Sequence, residues 1–123
     1  MIRGVVNARW ESIVRLRVRG PEGIESEVDV IVDSGFTSSL TLPIETVTAL
    51  GLVRQSGSSA VLADGSVRQF DLCAAEVEWD GTWRAMLVSA VGTEPLLGMR
   101  LLAGHKLVIE VVPGGLVEIL PLS

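Results

Sequence analysis

A carboxylate, a hydroxyl and a glycine stand together at the end of an apolar run. The run is Val30-Ile31-Val32, and Asp33-Ser34-Gly35 follow it directly. Carboxylates are seldom left in apolar surroundings without a partner or a chemical role, and a neighbouring hydroxyl can orient one by hydrogen bonding. Glycine permits a sharp turn and the close approach of another chain. These residues therefore predict a catalytic loop, although a simple surface turn uses the same residue types.

Hydrolysis of a peptide bond by carboxyl groups needs two of them. One accepts a proton from water while the other, protonated, polarises the carbonyl, and two carboxyls about 3 Å apart share one proton. The chain has a single Asp-Ser-Gly, and Asp64 and Asp80 each precede a glycine between strand-like runs. Both are explained as hairpin turn residues. The second acid must then be Asp33 of another copy, which predicts a homodimer with its site on the two-fold axis.

The size and composition of the chain favour one mostly β domain over residues 1–123. Hydrophobic residues make up 48% and aromatic residues only 4%, with thirteen glycines, as expected for strands joined by tight turns. The net charge of -5 argues against a nucleic acid or an anionic membrane as partner. No run reaches the roughly 20 apolar residues of a membrane helix. We therefore expect a polypeptide or a small molecule as ligand.

Cys73 is the only cysteine and His105 the only histidine. An internal disulfide is therefore excluded, and soft ligands are too few for a structural zinc site. These counts suit a cytoplasmic protein, and no metal or organic cofactor is implied. A serine or cysteine hydrolase built from Ser34 or Cys73 with His105 would lack a Gly-x-Ser-x-Gly elbow. We expect Cys73 to be a small core residue.

Alternating charges predict the hairpin that leads into the acidic turn. Apolar residues alternate with basic ones over 14–19 and with acidic ones over 25–30, and Gly20-Pro21-Glu22-Gly23 separates the two runs. A symmetric loop pairs Arg19 with Glu25, Arg17 with Glu27, and Arg15 with Asp29. A one-residue slip would put these charges into the core. The alternation ends at Ile31, where we expect the strand to enter the middle of the protein, and the chain must then turn away at Asp33.

The second half of the chain repeats the order of the first: a hairpin, an apolar strand, a glycine turn and a short helix. Trp79 and Trp83 flank the Asp80-Gly81 turn, and we expect them to pack across it. The other predicted elements are a strand over 39–42, a helix from Pro43 to Gly51, a hairpin about Asp64-Gly65, a strand over 86–91, a helix near 100–103 and strands over 106–112 and 116–120.

Three motifs, in this order, resemble those of single-domain, retropepsin-like aspartic proteases of the pepsin and retropepsin clan. Val30 to Gly35 match the family's hydrophobic run and Asp-Thr/Ser-Gly motif. Leu62-Ala63-Asp64-Gly65-Ser66 falls where the family has its flap hairpin, and Leu96-Leu97-Gly98 matches the residues before its short helix. The similarity runs from about Ile24 to Ala103. It implies an all-β, closed barrel with one or two short helices, and an aspartic endopeptidase that acts as a homodimer.

The resemblance also implies roles for individual residues. Asp33 would be the catalytic acid, Ser34 would brace the acid pair across the dimer axis, and Gly35 would lie along the substrate backbone. The residues implied for the flap and cleft are Phe36, Thr37, Ala63, Asp64 and Gly65, and those under the catalytic loop are Leu97 and Gly98. Water activated between two Asp33 carboxyls would cleave extended polypeptides, with no cofactor.

Four features depart from the family pattern. Met99-Arg100 follows Gly98, whereas the retroviral pattern has arginine directly after the glycine, so an ion pair that supports the dimer is expected to be shifted or missing. Phe36 stands where members often have a small residue, so it either narrows the cleft or fills a specificity pocket. Thr37 stands where retroviral members usually have a second acid, and Pro121 would limit a terminal strand used for dimerisation. The alternative function is a non-catalytic module of the same fold that dimerises or binds an extended peptide.

Overall fold

A computed structural model describes residues 1–92 and 94–123. These residues form ten strands and two short helices: β1 Ile2–Val6, β2 Ser12–Arg19, β3 Glu25–Val32, β4 Leu40–Leu42, α1 Ile44–Ala49, β5 Val53–Val61, β6 Val67–Trp79, β7 Thr82–Ala90, β8 Leu96–Leu97, α2 Met99–Leu102, β9 His105–Ile109 and β10 Leu116–Pro121. The prediction of a mostly β chain with short helices is confirmed. Within the described ranges, no helix combines the length and the apolar character needed to cross a membrane.

Six strands close into a ring. The pairings run β6–β7, β7–β4, β4–β8, β8–β3, β3–β2 and β2–β6, so the sheet returns to its starting strand. β5 extends the sheet from β6, and β1, β10 and β9 extend it from β2. Closure surrounds a core of Val, Leu and Ile side chains, which includes the fully buried Leu40, Leu42, Val77 and Leu97. Burial of this apolar interior is the main stabilising contribution to the fold.

The two halves of the chain interlock inside the ring. β3 runs parallel to β8, β4 runs parallel to β7, and β4 and β8 are antiparallel. Each half therefore places the last strand of its hairpin beside the short strand of the other half. This arrangement brings β8 alongside the end of β3, where the acidic turn begins.

The β2–β3 hairpin has the predicted register. Arg15 pairs with Asp29, Arg17 with Glu27, and Arg19 with Glu25. Arg15 Nε lies 2.8 Å from Asp29 Oδ1. The guanidinium of Arg19 instead bonds to Glu76 on β6, at 3.0 and 3.3 Å, because β2 pairs with β6 as well as with β3. The register was predictable from charge, but this ion-pair partner was not.

Ile31 lies on an interior strand of the ring but its side chain is not in the core. It is half-buried on the outer face of β3, opposite Ile13 on β2 and Leu96 on β8. The end of the charge alternation therefore marks an apolar outer surface next to the acidic turn. The prediction that the strand enters the interior at Ile31 is wrong.

Cys73 lies in the core with 2% of its surface exposed, and burial raises the pKa of its thiol. The thiol of the unfolded chain therefore ionises at a lower pH than that of the folded chain. The contribution of this group to the free energy of unfolding is complete below the unfolded pKa and is lost as the pH rises through the folded pKa. We expect a thiol reagent at about pH 8 to modify the native chain slowly and the denatured chain at once. The Cys73→Ser variant, which has no thiol, should not react with the reagent. Rapid labelling of the native wild type would contradict the burial of Cys73.

Candidate active site

The chain leaves β3 at Asp33 in a tight turn. The Asp33 N–H donates to the carbonyl of Leu97 at 2.8 Å, and Phe36 N–H donates to the Asp33 carbonyl at 3.1 Å. The Asp33 Oδ1 accepts the Gly35 N–H at 2.9 Å. β3 ends at Val32, and the turn at Ser34 and Gly35 carries the chain away from the strand, as a catalytic loop at this position requires.

The carboxylate of Asp33 remains available for chemistry. Asp33 is half-buried, while Ser34 and Gly35 are exposed. Oδ2 makes no hydrogen bond or ion pair within the part of the chain that the structure describes, whereas Oδ1 is held by Gly35. The loop therefore orients one oxygen and leaves the other free beside an exposed hydroxyl.

Gly98 lies directly beneath this loop. Its N–H donates to the carbonyl of Ser39 at 2.9 Å. A Cβ at Gly98 would overlap the carbonyl oxygen of Ser38 and would lie 2.6 Å from Phe36 Cδ2. Carbon atoms in contact are normally 3.5–4.0 Å apart. Only glycine therefore allows β8 and the loop to approach this closely.

Phe36 packs partly under the loop. Its side chain is half-buried, and its ring edge lies against Gly98. Its carbonyl accepts the N–H of Met99 at 2.8 Å, which ties the loop to the start of α2. Thr37, the next residue, is exposed.

Thr41 is a supporting residue that the sequence analysis did not identify. Its side chain is 4% exposed. The Thr41 Oγ1 accepts the N–H of Leu96 at 2.8 Å and donates to the carbonyl of Glu94 at 3.3 Å. These bonds fix the start of β8, whose Leu97 carbonyl in turn holds Asp33. The available signal was a single hydroxyl between two leucines in a strand.

The β5–β6 hairpin turns at the residues predicted for a flap. The Leu62 N–H donates to Ser66 O at 2.8 Å, and Gly65 has φ 85°, which favours glycine. The Asp64 Oδ1 accepts bonds from the Oγ and N–H of Ser66 at 2.6 and 2.9 Å. These bonds lower the pKa of Asp64. Asp64 therefore has the structural turn role that its position before glycine indicated.

The structure brings together part of the predicted site. Asp33, Ser34, Gly35, Phe36, Leu97 and Gly98 lie in or directly below one loop. Ala63, Asp64 and Gly65 are exposed at the hairpin tip, and over residues 1–92 and 94–123 no hydrogen bond joins this tip to the Asp33 loop. Over the same residues, no group of three or more His, Cys, Asp or Glu side chains is placed to hold a metal ion.

Comparison with known proteins identifies the fold. Neither a protein-family model nor a curated protein sequence matches the chain. Among solved structures, it is similar to the EIAV protease in complex with the inhibitor HBY-793, with a TM-score of 0.54 and 16% sequence identity. The similarity covers 78% of this chain and 88% of that one. At this identity it shows the fold alone, and the predicted retropepsin-like fold is confirmed.

Proposed function

We propose that two copies of this chain form an aspartic endopeptidase, with Asp33 of each copy in one shared site. The supporting observation is the Asp33 carboxylate, which Gly35 holds through Oδ1 at 2.9 Å while Oδ2 is left free, at the end of a ring strand in a retropepsin-like fold. One Asp33 carboxylate removes a proton from water, which attacks the peptide carbonyl. The other Asp33 is protonated and stabilises the oxygen. The amine leaves with a proton returned by the first.

The proposal gives supporting roles to the other predicted residues. The exposed Ser34 hydroxyl lies beside Asp33 and would brace the pair across the two-fold axis, and the exposed Gly35 allows the substrate backbone to approach. The flap residues Ala63 to Gly65 would close over the substrate. Every residue of β5 is exposed, which is typical of segments with little burial to hold them in one position, and flap closure would require such movement.

The surroundings of Asp33 favour a substrate with apolar side chains. Ile31 and Leu96 are half-buried neighbours on the outer face beside the loop, and part of Phe36 is also accessible. Such surfaces bind apolar groups by removing them from water. We expect cleavage of extended polypeptides with apolar residues next to the cleaved bond.

A shared proton also sets the pH dependence of the proposed reaction. Two carboxyls about 3 Å apart work only while one proton remains between them. The rate should therefore be highest at mildly acid pH and should fall when both carboxyls ionise. A rate that rises steadily into the alkaline range would contradict the mechanism.

The test is cleavage of a denatured protein mixture at pH values from about 4 to 7, with the new chain ends identified by mass spectrometry. We expect cuts between apolar residues and a rate per chain that rises with protein concentration as the two copies associate. Asp33→Asn purified in parallel reports contaminating proteases. No cleavage by a folded, dimeric wild type would reject the enzyme and favour the non-catalytic peptide-binding module.

A further inference from the structure

The strands near the two ends of the chain are already paired within it. β1 lies between β2 and β10, and β10 lies between β1 and β9. Each of these two strands therefore uses both of its hydrogen-bonding edges internally. β10 extends through Pro121, which is opposite His105. A second copy can exchange neither β1 nor β10 without breaking these ladders, so a dimer of this structure has to form through other surfaces.

One end of this terminal sheet carries exposed apolar side chains. We call them the terminal-turn patch: Val5, Trp10, Val111, Val112 and Leu116, each between 38 and 65% exposed. Val5 and Leu116 are direct cross-strand partners. Trp10 lies in the β1–β2 turn, and Val111 and Val112 lie in the β9–β10 turn. Monomeric proteins rarely leave such groups of apolar side chains uncovered.

The terminal-turn patch is at the same end of the sheet as Asp33. Val6, the last residue of β1, is bonded to Gly115 at 2.9 Å and is opposite Ser12, the first residue of β2. Ile13 is in turn opposite Ile31, two residues before Asp33. β3 and β10 are three strand spacings apart, about 14 Å. The patch and the acidic loop therefore share one rim of the molecule.

A row of apolar residues connects the terminal-turn patch with the surface beside Asp33. It contains one residue from each of five neighbouring strands: Leu116, Val5, Ile13, Ile31 and Leu96. Directly paired residues share a face of a sheet, and each of these side chains is exposed or half-buried. The apolar surface beside Asp33 is thus continuous with the terminal-turn patch.

We propose that the terminal-turn patch is the dimer contact, covered by the same patch of a second copy. This inference rests on the proposed function, because two Asp33 carboxyls can approach to about 3 Å only if the rims that carry them face each other. A tryptophan among aliphatic side chains is typical of interface centres. The net charge of -5 disfavours an anionic membrane as the alternative cover.

The test compares oligomeric states by sedimentation velocity without substrate. Val112→Glu puts a charge into the proposed contact at an exposed turn position, where folding should be unaffected. We expect dimeric wild type and a dissociation constant at least about tenfold higher for Val112→Glu. Trp10→Asn should weaken the dimer too, because asparagine suits the φ of 65° at this position. The matched control is Ile24→Glu, at another exposed turn residue, at the opposite end of β2 and β3, which should remain dimeric.

A strictly monomeric wild type, or dimers of unchanged affinity in both patch variants, would overturn the proposed contact. The proposed function can fail separately. If Val112→Glu is monomeric but cleaves at the wild-type rate per chain, the contact is supported and the shared acid pair is rejected. The contact is also supported, and the enzyme rejected, if the wild type is a dimer that cleaves nothing and the patch variants dissociate it.

Discussion

Asp33→Asn should reduce kcat/KM for peptide cleavage by roughly 10²–10⁴-fold or more. Asparagine has the shape of aspartate, but its amide can neither take a proton from water nor share one with a second carboxyl. Its side-chain oxygen can still accept the Gly35 N–H that Oδ1 accepts at 2.9 Å in the wild type. The loop, the thermal stability and the dimer should therefore be unchanged while the chemistry is lost. Initial rates on a peptide that contains an identified cleavage site provide the measurement.

The matched control is Asp29→Asn, in β3, four residues before Asp33. Asp29 is exposed and forms an ion pair with Arg15 at 2.8 Å, and an exposed pair of this kind contributes about 0–1 kcal/mol. Its loss should leave the cleavage rate unchanged. Wild-type activity in Asp33→Asn would reject the acid pair. Equal loss in both variants would mean that a general disturbance of the strand, not the chemistry of Asp33, determines the rate.

Local patterns predicted much of the fold, and long-range pairing explains the main errors. The alternating charges determined the β2–β3 register because a slip would have buried arginines. Arg19 lies opposite Glu25 as predicted, but its guanidinium bonds to Glu76, which reaches it only through the β2–β6 closure of the ring. No pattern within either segment specifies that closure.

The two tryptophans about the Asp80-Gly81 turn show an error that strand parity could have prevented. Trp79 is opposite Thr82, and Trp83 is opposite Glu78, so the two rings point to opposite faces of the sheet. Trp79 is buried, and its Nε1–H donates to His105 Nε2 at 3.3 Å. Trp83 lies on the outer face, under the guanidinium of Arg19 at 4.0 Å. The predicted contact across the turn is wrong.

In the candidate site too, residues marked by a local sequence pattern were predicted, and a residue that depends on long-range pairing was not. Asp33 and Gly98 each follow an apolar run in a glycine turn, and both positions were identifiable locally. Thr41 was not, because its bonds to Leu96 and Glu94 depend on β4 lying beside β8. The position of the flap over Asp33 stays a prediction, since it depends on closure and on a second copy.

Gly98→Ala should cause the largest loss of stability among single-methyl additions to this loop. The new Cβ would overlap the Ser38 carbonyl and lie 2.6 Å from Phe36 Cδ2. The Ser38 carbonyl belongs to the backbone and cannot rotate away as a side chain can. Overpacking of this kind costs about 3 kcal/mol at the upper end of its usual range, which corresponds to a fall in Tm of roughly 10 °C for a chain of this size. Differential scanning calorimetry gives both quantities.

The control for this substitution is Gly57→Ala, in the exposed strand β5. A Cβ there would meet the mobile end of the Arg54 side chain at 3.0 Å and the Phe70 carbonyl at 3.7 Å, so the arginine can move aside. Alanine also has less freedom to lose on folding than glycine, so the stability should change by less than about 1 kcal/mol. If Gly98→Ala is as mild as Gly57→Ala, β8 does not press against the acidic loop. The absence of a side chain at Gly98 would then not be what allows the loop to pack so closely.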